Sequence, residues 1–262
     1  MNQEVHGQKI NIGMTIGSSM AFLVKNINDN NYEMDVKFEK LVMSMQMPQA
    51  KMEFSSEKKD DNDVYSKVLR AMKGRTFEVT MSKSGKITEV RNIEALYESV
   101  ISQFVEISKK KKEQIKAQIE NSYGVDALKR SIEMSTAIYP EKPVKKGDKW
   151  TVNTKLKTGM SANISTDYEF VDFNSDYALI RGKSIIKTDE EDTNVENKMI
   201  PMKLDVTGSM NSEIKVDKKT GWIIEAKINQ EINGGVSFKL NSQMSDQMKI
   251  TIKMINKMLI TD

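Results

Sequence analysis

Over residues 10–24 the even positions read Ile10, Ile12, Met14, Ile16, Ser18, Met20, Phe22 and Val24, while the odd ones are mostly small or polar. A period of two predicts a long strand buried on one face. Asn28-Asp29-Asn30-Asn31 supplies residues that tolerate left-handed backbone, so a hairpin turn is expected there, with a return strand over 32–47. The inward set of that strand starts as Met34, Val36 and Phe38 and continues as Leu41, Met43, Met45 and Met47. The change from even to odd requires one extra residue, and a β-bulge near Lys40 is predicted.

Asp63 is placed to cap a short helix through Val64, Val68 and Met72 that Gly74 stops. Phe77, Val79 and Met81 then alternate into a turn at Ser82-Lys83-Ser84-Gly85, with a strand over 86–90 beyond it. From Asn92, read as a cap, Ile93, Leu96, Tyr97, Val100 and Phe104 follow the helical period. Further helical signal covers 113–122 and 126–137, broken at Tyr123-Gly124, and Pro140-Glu141-Lys142-Pro143 reads as an extended linker closing this insert.

Beyond the linker, strands are predicted over 150–156, 160–173, 177–187, 199–206, 210–216, 221–232 and 236–254, with tight turns at Lys145-Lys146-Gly147-Asp148-Lys149 and at Asn233-Gly234-Gly235. The long final strand suggests a tall, curved sheet. Inward parity predicts that Phe22, Met34, Phe38, Trp150, Phe170, Ile224, Phe238 and Ile250 are buried. The two β blocks also correspond: Phe22-Leu23-Val24, an Asn/Asp turn and Tyr32 match Phe170-Val171, Asn174-Ser175-Asp176 and Tyr177, and Glu78 through Gly85 to Glu89 matches Glu213 through Gly221 to Glu225. An internal duplication and the chance recurrence of hairpins both account for this. The expected architecture is mainly β with a helical insert (α+β): a large curved antiparallel sheet or half-barrel with central helices against its concave face. It is read as one domain over 1–262, built of two related blocks, 1–91 and 144–262, joined by the insert 92–143.

Composition changes this picture mainly by exclusion. A chain of 262 residues with 40 basic and 37 acidic side chains can bury a core unaided, and its near balance of charge gives no footprint for nucleic acid. Zero cysteines removes thiol catalysis, Cys-ligated zinc and disulfides. The apolar runs are too short to span a bilayer, and the first residues lack the basic and apolar regions of an export signal. His6 is the only histidine, which leaves no His–His metal site and no Ser–His–Asp relay. The acidic runs at 60–63 and 189–192 lack the spacing of a calcium loop and read as solvated loops. Lys109–Lys112 reads as the C-terminal end of a helix, where the dipole favours cations.

Nineteen methionines are the one oddity. Met43, Met45 and Met47 share a strand face, a spacing compatible with Cu(I), with an ordinary core, or with a pliable apolar cavity. No cofactor or metal is expected.

Gly7-Gln8-Lys9, Gly74-Arg75-Thr76-Phe77-Glu78-Val79 with Ser84-Gly85-Lys86-Ile87, and the run from Tyr139-Pro140-Glu141-Lys142-Pro143 to Gly147-Asp148-Lys149-Trp150 together resemble a family of bacterial cell-envelope proteins of unknown function, usually lipoprotein-like. The resemblance covers about 3–252 and rests on turns and strand entries. It implies a place in the periplasm or anchored to the outer membrane, an export signal preceding the domain, and a fold similar to periplasmic lipoprotein carriers. The expected function is non-enzymatic: a structural or interaction protein with envelope partners, or alternatively a binding or carrier module for a lipid-like or other apolar ligand. In the carrier reading Met43, Met45, Met47, Leu96, Tyr97, Val100 and Phe104 line the ligand site, and the helix bearing the last four is a movable lid. A hydrolase built on Asp167 and Glu169 is the remaining reading, with no spacing or partner residue to support it.

Overall fold

The computed structural model describes residues 2–5, 8–11, 13–28, 30–157, 161–188, 194–195, 202–238 and 248–262. His6, Asp29 and the acidic run at 189–192 lie outside them, as do the side chains of Ile10, Ile12 and Phe238. The chain divides into two compact units, Gly13–Tyr139 and the combination of Met1–Ile12 with Pro140–Asp262. The boundary falls at the Pro140-Glu141-Lys142-Pro143 run. The helices belong to the same unit as most of the first β block.

In the Gly13–Tyr139 unit, strands β3 (Gly13–Ile27), β4 (Asn31–Met47), β6 (Thr76–Ser82) and β7 (Ile87–Arg91) form an antiparallel sheet in the order β3-β4-β6-β7, and β5 (Ala50–Ser55) pairs with the far half of β4. The β3–β4 turn is set by Asn28, whose side-chain oxygen accepts from the Asn31 amide at 2.9 Å. The bulge is present one residue before Lys40. Ser19 pairs with Lys40 but Met20 with Phe38, so Glu39 is the extra residue, and burial moves from Met34, Val36 and Phe38 to Leu41 and Met43.

Helix α1 (Val64–Met72) starts at Asp63, whose carboxylate accepts from the Ser66 amide at 3.1 Å and from its hydroxyl at 2.8 Å. The insert supplies α2 (Ile93–Ser102), α3 (Lys109–Tyr123) and α4 (Val125–Thr136). They pack on the face of the sheet that carries Phe38, Leu41, Phe77 and Val79, each at most 1% exposed. Phe38 is the centre of this layer, with its ring 5.0 Å from Phe77 and 6.3 Å, edge-on, from Tyr123.

The other unit is a nine-stranded antiparallel sheet: β1 (Asn2–Val5), β2 (Gln8–Asn11), β8 (Lys149–Lys157), β9 (Ser161–Phe173), β10 (Tyr177–Thr188), β11 (Asn194–Val195), β12 (Met202–Asp217), β13 (Ile223–Phe238) and β14 (Met248–Thr261). Its order is β2-β1-β14-β13-β12-β10-β9-β8, with β11 beside β12. β9, β10, β12 and β13 are consecutive neighbours, as are β3, β4, β6 and β7. The strand order therefore matches the correspondence between the two sequence blocks, and both hairpin glycines, Gly85 and Gly221, take positive φ.

The chain is mainly β with a helical insert, its strands lying in two antiparallel sheets with the helices on the smaller one. Several finer expectations need correction. The strands predicted at 199–206 and 210–216 are the single strand β12. The segment 236–254 is not one strand, because β13 runs through to Phe238 and β14 starts at Met248. Asn233-Gly234-Gly235 is no turn but the middle of β13, where a Cβ on Gly234 would fall 2.1 Å from the Asp205 carbonyl oxygen. The glycine is required by close strand approach.

Of the residues expected in the core, Met34 and Phe38 are buried, whereas Phe22, Trp150, Phe170, Ile224 and Ile250 are half-buried. Ile224 has a specific cause. Lys215 pairs with Glu225 but Val216 with Ile223, so Ile224 is itself a bulge residue and the inward set of β13 becomes Ala226, Ile228 and Ile232. β3 is the largest departure: it is an edge strand that the helix layer touches at Gly17, whose carbonyl lies 3.3 Å from the Tyr123 hydroxyl, while Met14 and Ile16 nearer its start are 50% and 45% exposed.

Candidate functional site

The far half of β4 is where sequence and structure concentrate the methionines. After the Glu39 bulge, odd positions face the helices, and Met43 is buried beneath α3, its sulfur 3.5 Å from both the Gln118 amide nitrogen and the Ser122 hydroxyl. Leu96, Tyr97 and Val100 form the buried stripe of α2, which packs on α1, β6 and α3. Tyr97 donates its hydroxyl to the Tyr123 carbonyl, and Ser122 reaches Met43, so these two parts of the expected site meet through adjacent residues of α3.

Met45 and Met47 are half-buried further along the strand. Phe104 lies beyond the end of α2, half-buried, with the Lys67 ammonium 5.8 Å from its ring centre. The seven residues therefore divide into a packed group (Met43, Leu96, Tyr97, Val100) and a more open one (Met45, Met47, Phe104).

The open group extends into neighbours that parity alone did not single out. Met45 pairs with Met14 on β3 and with Met52 on β5, giving a row of three methionines across three strands, while Met43 is flanked in the same way by Ile16 and Phe54. Met14 is 50% and Met52 37% exposed. The sequence signal for this row was the shared helix-side parity of Met14 and Met45. Met52 becomes visible only once the β4–β5 register is known. The row is bordered by Phe54, whose ring lies 4.8 Å from that of Tyr65, and Lys111 sits over Tyr65 at 5.2 Å.

Two electrostatic expectations change. Lys109–Lys112 opens α3 instead of ending it, so its cations lie at the positive end of the helix dipole behind the Ser108 cap. Asn92 occupies the cap position of α2 with φ 66° and makes no side-chain cap; its amide donates to Glu78 at 3.1 Å. Within the helix layer, burial pushes the Tyr97 and Tyr123 phenols well above their ordinary pKa.

Gly124, at the break between α3 and α4, is a tight junction: a Cβ there would fall 2.4 Å from the Glu120 carbonyl oxygen. Gly74 has φ 81° with open space around it.

Elsewhere the chemistry is that of ordinary surfaces. Asp167 accepts from the Thr151 hydroxyl at 2.6 Å and Glu169 pairs with Lys149 at 3.5 Å, both as cross-strand partners on β8 and β9. Asp61 pairs with Arg70 at 3.2 Å, and Asp60 accepts from the Asn62 amide. An open groove of about 580 Å³ lies over β8, β9 and β10, lined by Asn153, Asn163, Ser165, Ile185 and Lys187 among others. Among the described residues, no helix is long and apolar enough to cross a membrane.

The chain belongs to a family of unknown function, DUF6263. The match covers residues 29–223, from the β3–β4 turn to the first residue of β13. The family span therefore contains the Glu39 bulge, the whole helix layer and Met43, Met45, Met47 and Met52, whereas Met14 on β3 precedes it. No curated protein matches the chain.

Proposed function

We propose that this chain is a non-enzymatic interaction protein of the cell envelope, and that it takes an apolar segment of a partner protein on the methionine row Met14–Met45–Met52. The observation that carries this reading is the contrast along one sheet face. Under the helices the face is filled by side chains such as Leu41, Val100 and Phe38, at 0% exposure. One step further, the same face ends in thioethers and Ile16 left open to solvent. Methionine's flexible, polarizable side chain suits a surface that adapts to its partner. The envelope location rests on the sequence resemblance.

The alternative, a carrier of lipid-like ligands, draws on the same apolar row but requires α2 to move. Tyr97 and Val100 are 1% and 0% exposed, so opening α2 would break its buried stripe and the Tyr97–Tyr123 hydrogen bond. The two readings separate by site-directed photo-crosslinking in cells at Met52, with Glu53 on the opposite face as the control. Protein adducts at Met52 alone support the interaction reading. Adducts to lipid support the carrier, and equal labelling at both positions rejects a specific surface.

A further inference from the structure

We infer that β3 is a self-association edge, on which a second copy of this chain pairs its own β3 antiparallel and joins the two five-stranded sheets into one. This deepens the interaction reading and rests on it for the premise that the protein works through its surface.

An unpaired sheet edge presents a row of backbone donors and acceptors that another strand can occupy, and proteins normally blunt such edges by shortness or charge. Three of the four terminal strands here follow that rule. β2 has 4 residues and includes Lys9; β7 has 5 and includes Glu89 and Arg91; β8 has 9 and includes Lys149, Lys155 and Lys157. β3 does not follow it. Its 15 residues contain one charged side chain, Lys25, which is drawn to Asp35 on the neighbouring strand at 3.3 Å. Among the described residues, β4 is the only strand paired with it. Met14, Ile16, Leu23, Val24 and Ile27 are each 45% to 64% exposed, so among the described residues β3 is the strand richest in exposed large apolar side chains.

The geometry favours a second copy over an unrelated strand. The midpoint of Gly13–Ile27 is Met20. A two-fold axis there, perpendicular to the sheet, overlaps the whole strand with its mate and sets Ile16 opposite Val24 and Lys25 opposite Thr15. No like charges meet. The same axis keeps both helix layers on one side of the joined sheet and sets the exposed Ile16 of each copy beside the exposed Val24 of the other on one face, so these apolar side chains cover each other. An isologous contact of this kind closes as a dimer and uses up the β3 edge of both copies.

The test is sedimentation velocity on the full chain across a concentration series, with circular dichroism as the check on folding. The wild type should form a reversible dimer. Leu23→Lys with Ile27→Lys should raise the dissociation constant about tenfold or more, because charges are set into an apolar edge. Val105→Lys, an exposed apolar position in the segment between α2 and α3, should leave it unchanged. The chain has no cysteine, so single introduced thiols report the register: Met20→Cys should form a disulfide-linked dimer and Met14→Cys should not. A wild type that stays monomeric up to about 100 μM overturns the inference, as does equal cross-linking of the two cysteine variants. Photo-crosslinking at Met52 in the Leu23→Lys/Ile27→Lys background reads the partner surface separately, since protein adducts there would persist without self-association.

Discussion

The Tyr97 hydroxyl donates to the backbone carbonyl of Tyr123, and the Tyr123 hydroxyl in turn donates to the Val42 carbonyl 2.7 Å away. Two phenols thus tie α2 to the end of α3 and the end of α3 to β4, through carbonyls inside an apolar layer. Removing either hydroxyl withdraws a partner from a buried acceptor, which costs about 1–3 kcal/mol. Tyr97→Phe and Tyr123→Phe are each expected to lose about that much unfolding free energy, seen as a lower urea midpoint with the slope unchanged. Tyr65→Phe, whose ring packs at a tilt against Phe54, should stay within about 0.5 kcal/mol of wild type, as most surface changes do. Equal effects at all three positions would show that the hydroxyl contacts do not hold the layer.

Gly85 and Gly74 have the same φ, 81°, but different surroundings, and this makes them a matched pair. At Gly74 an added Cβ meets nothing within 4 Å, so Gly74→Ala should cost only the left-handed backbone, about 1–2 kcal/mol. At Gly85 the Cβ would fall 1.6 Å from the carbonyl oxygen of Thr136, whose hydroxyl also donates to the Gly85 carbonyl at 2.7 Å. The β6–β7 turn and the end of α4 must then separate, and the loss should be roughly 3 kcal/mol or more. Thermal or urea unfolding of both variants decides it; indistinguishable losses would mean that the turn does not pack against α4.

Much of this layer was legible in the sequence, and the misreadings have local causes. The Glu39 bulge could be read because β4 buries one face, so an extra residue leaves a visible change of parity at Phe38 and Leu41. Asp63 could be read because a cap is a local interaction. The bulge at Ile224 left no such mark: Ile223 and Ile224 are both apolar, and only pairing with Val216 shows which one faces inward. Strand periodicity also says which side chains share a face, not whether anything covers that face. Met14 and Ile16 have the parity of core residues, and only the order β3-β4-β6-β7 shows that they lie beyond the helices. For the same reason the common parity of Met43, Met45 and Met47 could be read from the sequence, while Met52 joins Met45 only through the β4–β5 register.

Burial raises the pKa of Tyr139 and Tyr168 to about 12 and pushes Tyr97 and Tyr123 up as well. From the usual phenol value near 10 upward, the unfolded chain releases protons that the folded chain still holds. Stability should therefore fall as pH rises from about 10 towards 12 and be insensitive to these groups below that window. In an alkaline titration, a late rise in phenolate absorbance should coincide with the loss of β circular dichroism. Complete phenolate formation in protein that keeps its native circular dichroism would show that these four rings are accessible.

The four lysines at the start of α3 oppose its dipole, and that gives the last expectation a clear direction. Lys109–Lys112 occupies the first turn behind the Ser108 cap, where the amides leave partial positive charge and acidic residues are preferred. Lys111 sits over the Tyr65 ring at 5.2 Å, so it is best left in place. Lys109 and Lys110 are exposed, and replacing both with Glu reverses two unfavourable charge–dipole interactions at little cost in packing. Each change should stabilise by about 0.3–1 kcal/mol at low ionic strength. Because exposed charges are screened over about 3 Å in 1 M salt, the gain should shrink there. A gain that persists unchanged in high salt would assign it to something other than the dipole. No gain at low salt would mean that the repulsion is already relieved in the folded chain.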